Sequence, residues 1–309
     1  MFFFRIVRFQ NLLIVAFTQY LLQYAVLMPA LWKSNIPPAL NKTAFFLLVL
    51  TTVLLAAGSY LINDLVDYEA DKVNKPQKTF VHNQISAQNI QILYWFLTIF
   101  GFGVSIYLAR MVQQPQQLLI YPVAVILLRW YSLFFKKTVL LGNIVVAIFC
   151  AFVTAVILYA ERGSIQSLNF AAPKTALEVV AIFGSYILFS FLTTMLREII
   201  KDCEDVAGDR AASYFTLPVA YGTQIAKSVA LFFGVLLLLL LCASLSLSAV
   251  GFYKKIYVVA LLILPNSYIL FLIAQAKSKT NFSEISLLSK LLMVAGLMYL
   301  VVFYGIKLI

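Results

Sequence analysis

Uncharged apolar segments about 20 residues long recur along the chain and limit its possible folds more than any other feature. One of them, TAFFLLVLTTVLLAAGSYLI at Thr43–Ile62, contains no charged residue. A helix of this length spans the hydrocarbon core of a bilayer. Hydrophobic residues make up 63% of the 309 residues and charged residues only 11%, which excludes a water-soluble fold. We therefore predict an all-α polytopic membrane protein.

The hydropathy pattern predicts nine transmembrane helices joined by short connectors. Because no polar block is long enough to form a soluble unit, we expect residues 1–309 to form a single transmembrane domain. The predicted spans are 11–30, 43–62, 88–109, 117–135, 139–159, 175–200, 227–249, 255–274 and 286–306.

The net charge of +11 reflects Lys and Arg residues that lie mainly in the connectors, as they do beside membrane helices, and it does not indicate nucleic-acid binding. With nine spans, the N-terminus and the connectors that follow even-numbered helices lie on one side. That side carries the larger share of Lys and Arg, so we expect it to face the cytoplasm.

Nine of the twelve acidic residues occupy two short windows, each at the end of an even-numbered predicted helix. NDLVDYEADKVNKP follows the second span, and EIIKDCEDVAGD begins within the last residues of the sixth. Both windows should therefore emerge on the cytoplasmic face. Within each window, spacings of three and four residues bring carboxylates within about 60° of each other on a helix, provided that the second helix continues past Gly208.

Crowded carboxylates at a membrane surface repel one another and are expensive to desolvate, so a cation is expected between them. Hard oxygen ligands favour Mg²⁺, which takes one or two carboxylates and completes its shell with water and phosphate. One such cluster could simply be a solvent-exposed loop whose charge is balanced by nearby Lys and Arg. That interpretation explains two matched clusters poorly. Two acidic faces at the end of an apolar bundle suit a diphosphate on a lipid tail.

These windows resemble the two Asp-rich motifs of the UbiA family of intramembrane prenyltransferases. Asn63–Pro76 is similar to the first motif, Asn-Asp-x-x-Asp-x-x-x-Asp followed by Asn-Lys-Pro. Arg197–Pro218, REIIKDCEDVAGDRAASYFTLP, is similar to the second, in the form of the geranylgeranylglycerol-phosphate geranylgeranyltransferase branch. YSLFFKKTVLLGN at Tyr131–Asn143 resembles the connector between helices 4 and 5, and RFQN at Arg8–Asn11 resembles the Arg-x-x-Asn that starts helix 1.

The resemblance implies a helical bundle around a central cavity. It also implies a Mg²⁺-dependent enzyme that transfers a polyprenyl group from an allylic prenyl diphosphate to a lipophilic acceptor and releases diphosphate. Geranylgeranylglyceryl phosphate is the candidate acceptor. The implied partners are the two substrates and the lipid bilayer, without an obligate protein partner.

The resemblance also assigns candidate site residues. Asp64, Asp67 and Asp71 are expected to hold one Mg²⁺, and Asp205 and Asp209 a second. Asp202 supports them, and these six carboxylates are the candidate catalytic residues. The candidate substrate-binding residues are Asn11, Asn63, Lys78, Tyr131, Lys136, Lys137 and Arg197.

Two single residues have alternative readings. Arg197 could instead form an ion pair with an acid of its own helix, as charges within membranes usually do. Lys78 stands where the family has Arg, in a segment, QKTFVHNQIS, that departs from the family pattern.

Several functions stay open at this point. The acceptor could instead be an aromatic quinone precursor or a tetrapyrrole. A transporter or cation channel also uses acids within the membrane, although usually near its midplane on broken helices. The altered segment after Pro76 leaves a non-catalytic relative as a further alternative.

Overall fold

The computed structural model describes residues 5–74, 76, 81, 84–246 and 251–305, and these are almost entirely helical. The prediction of an all-α protein is therefore confirmed. The main helices are α1 (Phe9–Lys33), α2 (Lys42–Val66), α3 (Tyr68–Asn74), α4 (Ala87–Met111), α5 (Ile120–Leu133), α6 (Leu141–Ala160), α7 (Arg162–Ala171), α8 (Pro173–Ala211), α9 (Leu217–Tyr221), α10 (Thr223–Ser246), α11 (Phe252–Gln275) and α12 (Lys279–Phe303).

Within the described residues, eight helices are long and apolar enough to cross a membrane: α1, α2, α4, α6, α8, α10, α11 and α12. The predicted count of nine is not confirmed. The predicted span 117–135 contains α5, which has 14 residues, preceded by a 3₁₀ turn at Pro115–Leu119. At 1.5 Å per residue α5 is about 21 Å long, shorter than the hydrocarbon core.

Helix α8 extends well beyond its predicted end at residue 200. It has 39 residues and continues past Gly208 to Ala211, so the second acidic window is entirely helical. The first window is divided by a break at Asp67, between α2 and α3. The Asp67 N–H still donates to the Asn63 carbonyl (2.9 Å) and the Asp71 N–H to the Asp67 carbonyl (2.8 Å), which carries the helical phase through the break.

Helix α8 is the centre of the bundle and packs against α3, α6, α10 and α12. Two of the buried apolar clusters include successive parts of α8. One includes Phe45 of α2 and Phe183 of α8, and the other includes Met195 of α8 and Ile269 of α11. A third cluster joins α2 to α4. Burial of these apolar faces fixes the relative positions of the helices.

A cavity of about 1130 Å³ lies within the bundle, as predicted. Its lining extends along α6 from Gly142 to Ala160. Since an α-helix rises 1.5 Å per residue, the cavity is roughly 27 Å long, close to the thickness of the hydrocarbon core. Apolar side chains such as Phe149 and Phe152 line its middle.

Candidate active site

Both acidic windows line one end of this cavity, the end at which α6 begins. The sequence predicts that the two windows face a shared pocket, and the structure brings them together there. The carboxylates that line the cavity are Asp64, Asp67, Asp71, Glu198, Asp202, Asp205 and Asp209.

The first window is held by two cations from distant parts of the chain. Arg8, just before α1, forms an ion pair with Asp64, and Lys136 forms one with Asp67. The Asn63 amide joins the second pair, donating to Asp67 Oδ2 (2.9 Å) and accepting from Lys136 Nζ (3.1 Å). Burial disfavours the charged form of Lys136, but the charge and hydrogen bond of Asp67, together with Tyr131, raise the pKa of Lys136.

Each of these two aspartates keeps one carboxylate oxygen unused. Asp64 Oδ2 and Asp67 Oδ1 are buried and have no hydrogen-bond partner among the described residues. A buried, unbonded carboxylate oxygen is unfavourable unless a further donor or cation meets it. This arrangement fits a hard divalent cation such as Mg²⁺, which binds through carboxylate oxygens.

The second window is positioned by hydrogen bonds from neighbouring elements. Asn143 at the start of α6 donates to Asp202 (2.8 Å), and the Thr216 hydroxyl donates to Asp209 (3.0 Å). Within the described chain, no three His, Cys, Asp or Glu side chains form a ready-made metal site. Carboxylates of both windows line the cavity, where a metal ion held by them would also be able to bind phosphate oxygens.

Asn74 clamps the two windows together. Its Nδ2 donates to the Asp205 carbonyl (2.9 Å), and its Oδ1 accepts from the Gly208 N–H (2.9 Å). A Cβ at Gly208 would lie 2.2 Å from Asn74 Nδ2 and 2.4 Å from the Ala70 carbonyl oxygen. Glycine is therefore required where α3 crosses α8.

Tyr214 adds a further link between the windows. Its hydroxyl donates to the Val66 carbonyl at the end of α2 (3.2 Å). Burial, with the Asp67 carboxylate as a further contribution, raises the pKa of Tyr214 to about 12, so the phenol is neutral at physiological pH. The Lys137 ammonium lies 5.4 Å from the Tyr214 ring centre.

The predicted substrate-binding residues have different positions. Asn11, Asn63, Tyr131, Lys136 and Arg197 line the cavity. Of the two adjacent lysines, Lys136 contacts the first window, whereas Lys137 packs on Tyr214. Lys78 and its neighbours 77–80 lie outside the described residues.

The alternative role of Arg197, an ion pair with an acid of its own helix, is what the structure shows. Its Nη1 donates to Glu198 (2.7 Å). Both side chains line the cavity.

Sequence reasoning missed several residues at this end. Arg8 and Asn74 both belong to motifs quoted above, but neither was chosen as a site residue. Asn143 is the last residue of the quoted connector, so the family resemblance could also have identified it. Lys290 of α12 also lines the cavity, but no motif identifies it, since it is a single lysine within a predicted membrane helix.

Comparison with known proteins places this site in a family. The sequence profile of the UbiA prenyltransferase family matches residues 21–302. A digeranylgeranylglyceryl phosphate synthase from Saccharolobus solfataricus is 30% identical over 258 residues, which cover 84% of each chain. The Methanopyrus kandleri synthase is 32% identical over 187 residues, 60% of this chain and 61% of that protein.

Solved structures agree on the fold. A digeranylgeranylglyceryl phosphate synthase structure has a TM-score of 0.64 at 23% identity, covering 99% of this chain and 98% of its own. A UbiA homolog from Archaeoglobus fulgidus bound to DMAPP and Mg²⁺ has a TM-score of 0.53 at 18% identity, covering 97% and 99%. The family match extends over most of the chain, and the predicted resemblance is confirmed: this chain belongs to the UbiA prenyltransferase family.

Proposed function

We propose that this chain transfers a prenyl group from an allylic prenyl diphosphate to a lipophilic acceptor and releases diphosphate. One observation carries the proposal: two carboxylate windows from distant parts of the chain line the same end of a cavity whose middle is apolar. A charged headgroup fits the acidic end only together with cations, and an isoprenoid tail fits the apolar middle.

Asp64, Asp67 and Asp71 are the residues we expect to hold one Mg²⁺, and Asp205 and Asp209 a second, with Asp202 in support. The unbonded oxygens of Asp64 and Asp67 favour this assignment. When bound, Mg²⁺ neutralises charge on the diphosphate and makes it a better leaving group. The Archaeoglobus homolog was solved with Mg²⁺ and a prenyl diphosphate, which supports the same cofactor here.

The residues of the chain bind and orient the donor. Lys136 and Asn63 place an ammonium and an amide beside Asp67, where a phosphate oxygen can accept from them. The bond between the allylic carbon and the diphosphate oxygen then breaks, and its electron pair leaves with diphosphate. The acceptor hydroxyl oxygen attacks that carbon, and its proton passes to the released diphosphate.

The apolar lining protects the electron-poor allylic carbon during this step. Phe149, Phe152 and Phe189 line the cavity. Aromatic faces stabilise positive charge, and exclusion of water prevents hydrolysis of the donor.

Geranylgeranylglyceryl phosphate is the acceptor that we propose. The synthases from Saccharolobus and Methanopyrus support this choice, since both carry the name digeranylgeranylglyceryl phosphate synthase. We further propose that the acidic end of the cavity faces the cytoplasm, which rests on the distribution of Lys and Arg among the connectors.

Product analysis tests the reaction directly. Purified protein is incubated with geranylgeranyl diphosphate, Mg²⁺ and one acceptor at a time: geranylgeranylglyceryl phosphate, an aromatic quinone precursor or a tetrapyrrole. We expect a prenylated lipid phosphate by mass spectrometry, together with Mg²⁺-dependent diphosphate release. A prenylated aromatic or tetrapyrrole product alone would contradict the acceptor. Cation uptake by proteoliposomes without diphosphate release would contradict the transferase function.

A further inference from the structure

Lys290 of α12 is a half-buried cation that lines the cavity without a carboxylate partner in the described part of the chain. Its Nζ lies 3.4 Å from Asn11 Oδ1 of α1, a weak contact with a neutral amide. Asn11 itself is one turn from Arg8, whose carbonyl accepts from the Asn11 N–H (2.8 Å). Lys290 is therefore close to the acidic end of the cavity but belongs to neither acidic window.

Three other cavity cations differ from Lys290 in their partners. Arg8 is paired with Asp64, Lys136 with Asp67 and Arg197 with Glu198. An ammonium inside a membrane bundle is expensive to desolvate and normally marks a binding site or an ion pair. Since Lys290 has no acidic partner among the described residues, a ligand anion is the group that best satisfies it.

A second donor in this cavity also lacks a partner. The Nε of Arg197 is buried and has no hydrogen-bond acceptor among the described residues, although its Nη1 is paired with Glu198. Arg197 lies on α8, which packs against α12, and it lines the same cavity. An arginine with one donor still available suits a phosphate oxygen.

We propose that Lys290, with Asn11 and Arg197, binds the phosphate monoester of the acceptor lipid and so determines acceptor specificity. This inference rests on the proposed prenyl transfer. The donor diphosphate belongs to the two carboxylate windows with their metal ions. Lys290 pairs with no carboxylate among the described residues, so it can bind an anion without a metal ion. Of the charged groups in the proposed reaction, the dianionic phosphate monoester of the acceptor is the one that complements the charge of Lys290.

Steady-state kinetics with Lys290→Gln tests this role. We expect KM for geranylgeranylglyceryl phosphate to rise about 10- to 100-fold, because one charge-assisted hydrogen bond is lost. KM for geranylgeranyl diphosphate should stay within about twofold. Lys290→Arg should restore most of the acceptor affinity, and Lys255→Gln, an exposed lysine of α11 outside the cavity lining, is the matched control.

A dephosphorylated acceptor, geranylgeranylglycerol, provides the second measurement. The wild-type protein should prefer the phosphorylated lipid, and Lys290→Gln should lose most of that preference. An unchanged acceptor KM, or a rise in donor KM instead, overturns the role of Lys290 while the transferase function stands. If the wild-type protein uses no phosphorylated acceptor but still binds the donor, both the acceptor assignment and the role of Lys290 are wrong.

Discussion

Buried carboxylates lie beyond both ends of α6, the helix that lines the cavity, but they are used differently. At the acidic end, Asp64 and Asp67 each pair with a cation and leave one oxygen unbonded among the described residues. At the other end, Glu161 follows the last residue of α6 and is fully buried. Its Oε1 accepts from Gln23 Nε2 (2.9 Å), and its Oε2 accepts from the Ala39 N–H (2.7 Å).

This difference separates a binding site from a structural contact. Both oxygens of Glu161 are hydrogen-bonded by α1 and by the α1–α2 connector, where the Leu40 N–H donates as well (3.3 Å). Both oxygens are thus engaged by the chain itself, and the carboxylate stabilises that connector. We expect the unbonded oxygens of Asp64 and Asp67 to make the acidic end the reactive one. Substitutions at the two ends should therefore affect different measurements.

The largest effect is expected for Asp67→Asn. Loss of one charged metal ligand should reduce kcat about a thousandfold, because metal stabilisation of a leaving group contributes several kcal/mol. The melting temperature should also fall, because Lys136 loses its buried carboxylate partner, so turnover is compared well below both melting temperatures. Turnover is measured with geranylgeranyl diphosphate and Mg²⁺, and activity above a tenth of the wild-type value would show that Asp67 is not a ligand.

The next largest effect is expected for Gly208→Ala. The added methyl group meets Asn74 and the Ala70 carbonyl, so α3 must move away from α8 and the two windows separate. A shift of about 1 Å at a reacting site can lower the rate on the order of 100-fold. Gly184→Ala, on the same helix, is the control, because a Cβ at this position meets nothing within 4 Å. Equal turnover of the two variants would contradict the clamp formed by Asn74.

Glu161→Ala should affect stability rather than chemistry. It leaves the Gln23 amide and two backbone N–H groups without their acceptor, and each buried unsatisfied group costs about 1–3 kcal/mol. We expect a lower melting temperature in detergent and a kcat within about twofold of wild type well below that temperature. Glu178→Ala, at an exposed position of α8, should change neither. A large loss of kcat in Glu161→Ala without a change in melting temperature would assign that end a catalytic role.

The smallest effect is expected for Lys72→Gln in α3. Its ion pair with Glu69 (3.3 Å) is exposed, and exposed pairs contribute little to stability. Neither melting temperature nor turnover should change measurably. A clear loss of turnover would show that the charged end of the cavity extends along the outer face of α3.

Hydropathy and spacing predict much of the fold and both acidic windows, for physical reasons. Apolar runs such as Thr43–Ile62 need a bilayer, and carboxylates at helical spacing share a face. The end of α8 was missed because its last eleven residues include both acids and bases, which lower hydropathy although the backbone remains helical.

Contacts between distant segments could not be read from the sequence. Asn74 and Gly208 meet only because α3 crosses α8. The partners of Glu161 come from α1 and the α1–α2 connector. Lys290 is significant only because it meets Asn11 and pairs with no carboxylate in the described part of the chain. Periodicity reports which face of a helix a residue occupies, but not which other helix meets it.

Mg²⁺-dependent affinity for geranylgeranyl diphosphate tests most directly whether the two windows bind one headgroup. Equilibrium titrations compare wild type, Asp67→Asn, Asp205→Asn and the double variant, each with and without Mg²⁺. We expect either single substitution to remove most of the Mg²⁺-dependent affinity, and the double variant to lose much less than the sum of the two, because both groups act on the same ligand. Wild-type Mg²⁺-dependent affinity in either single variant would contradict a shared site.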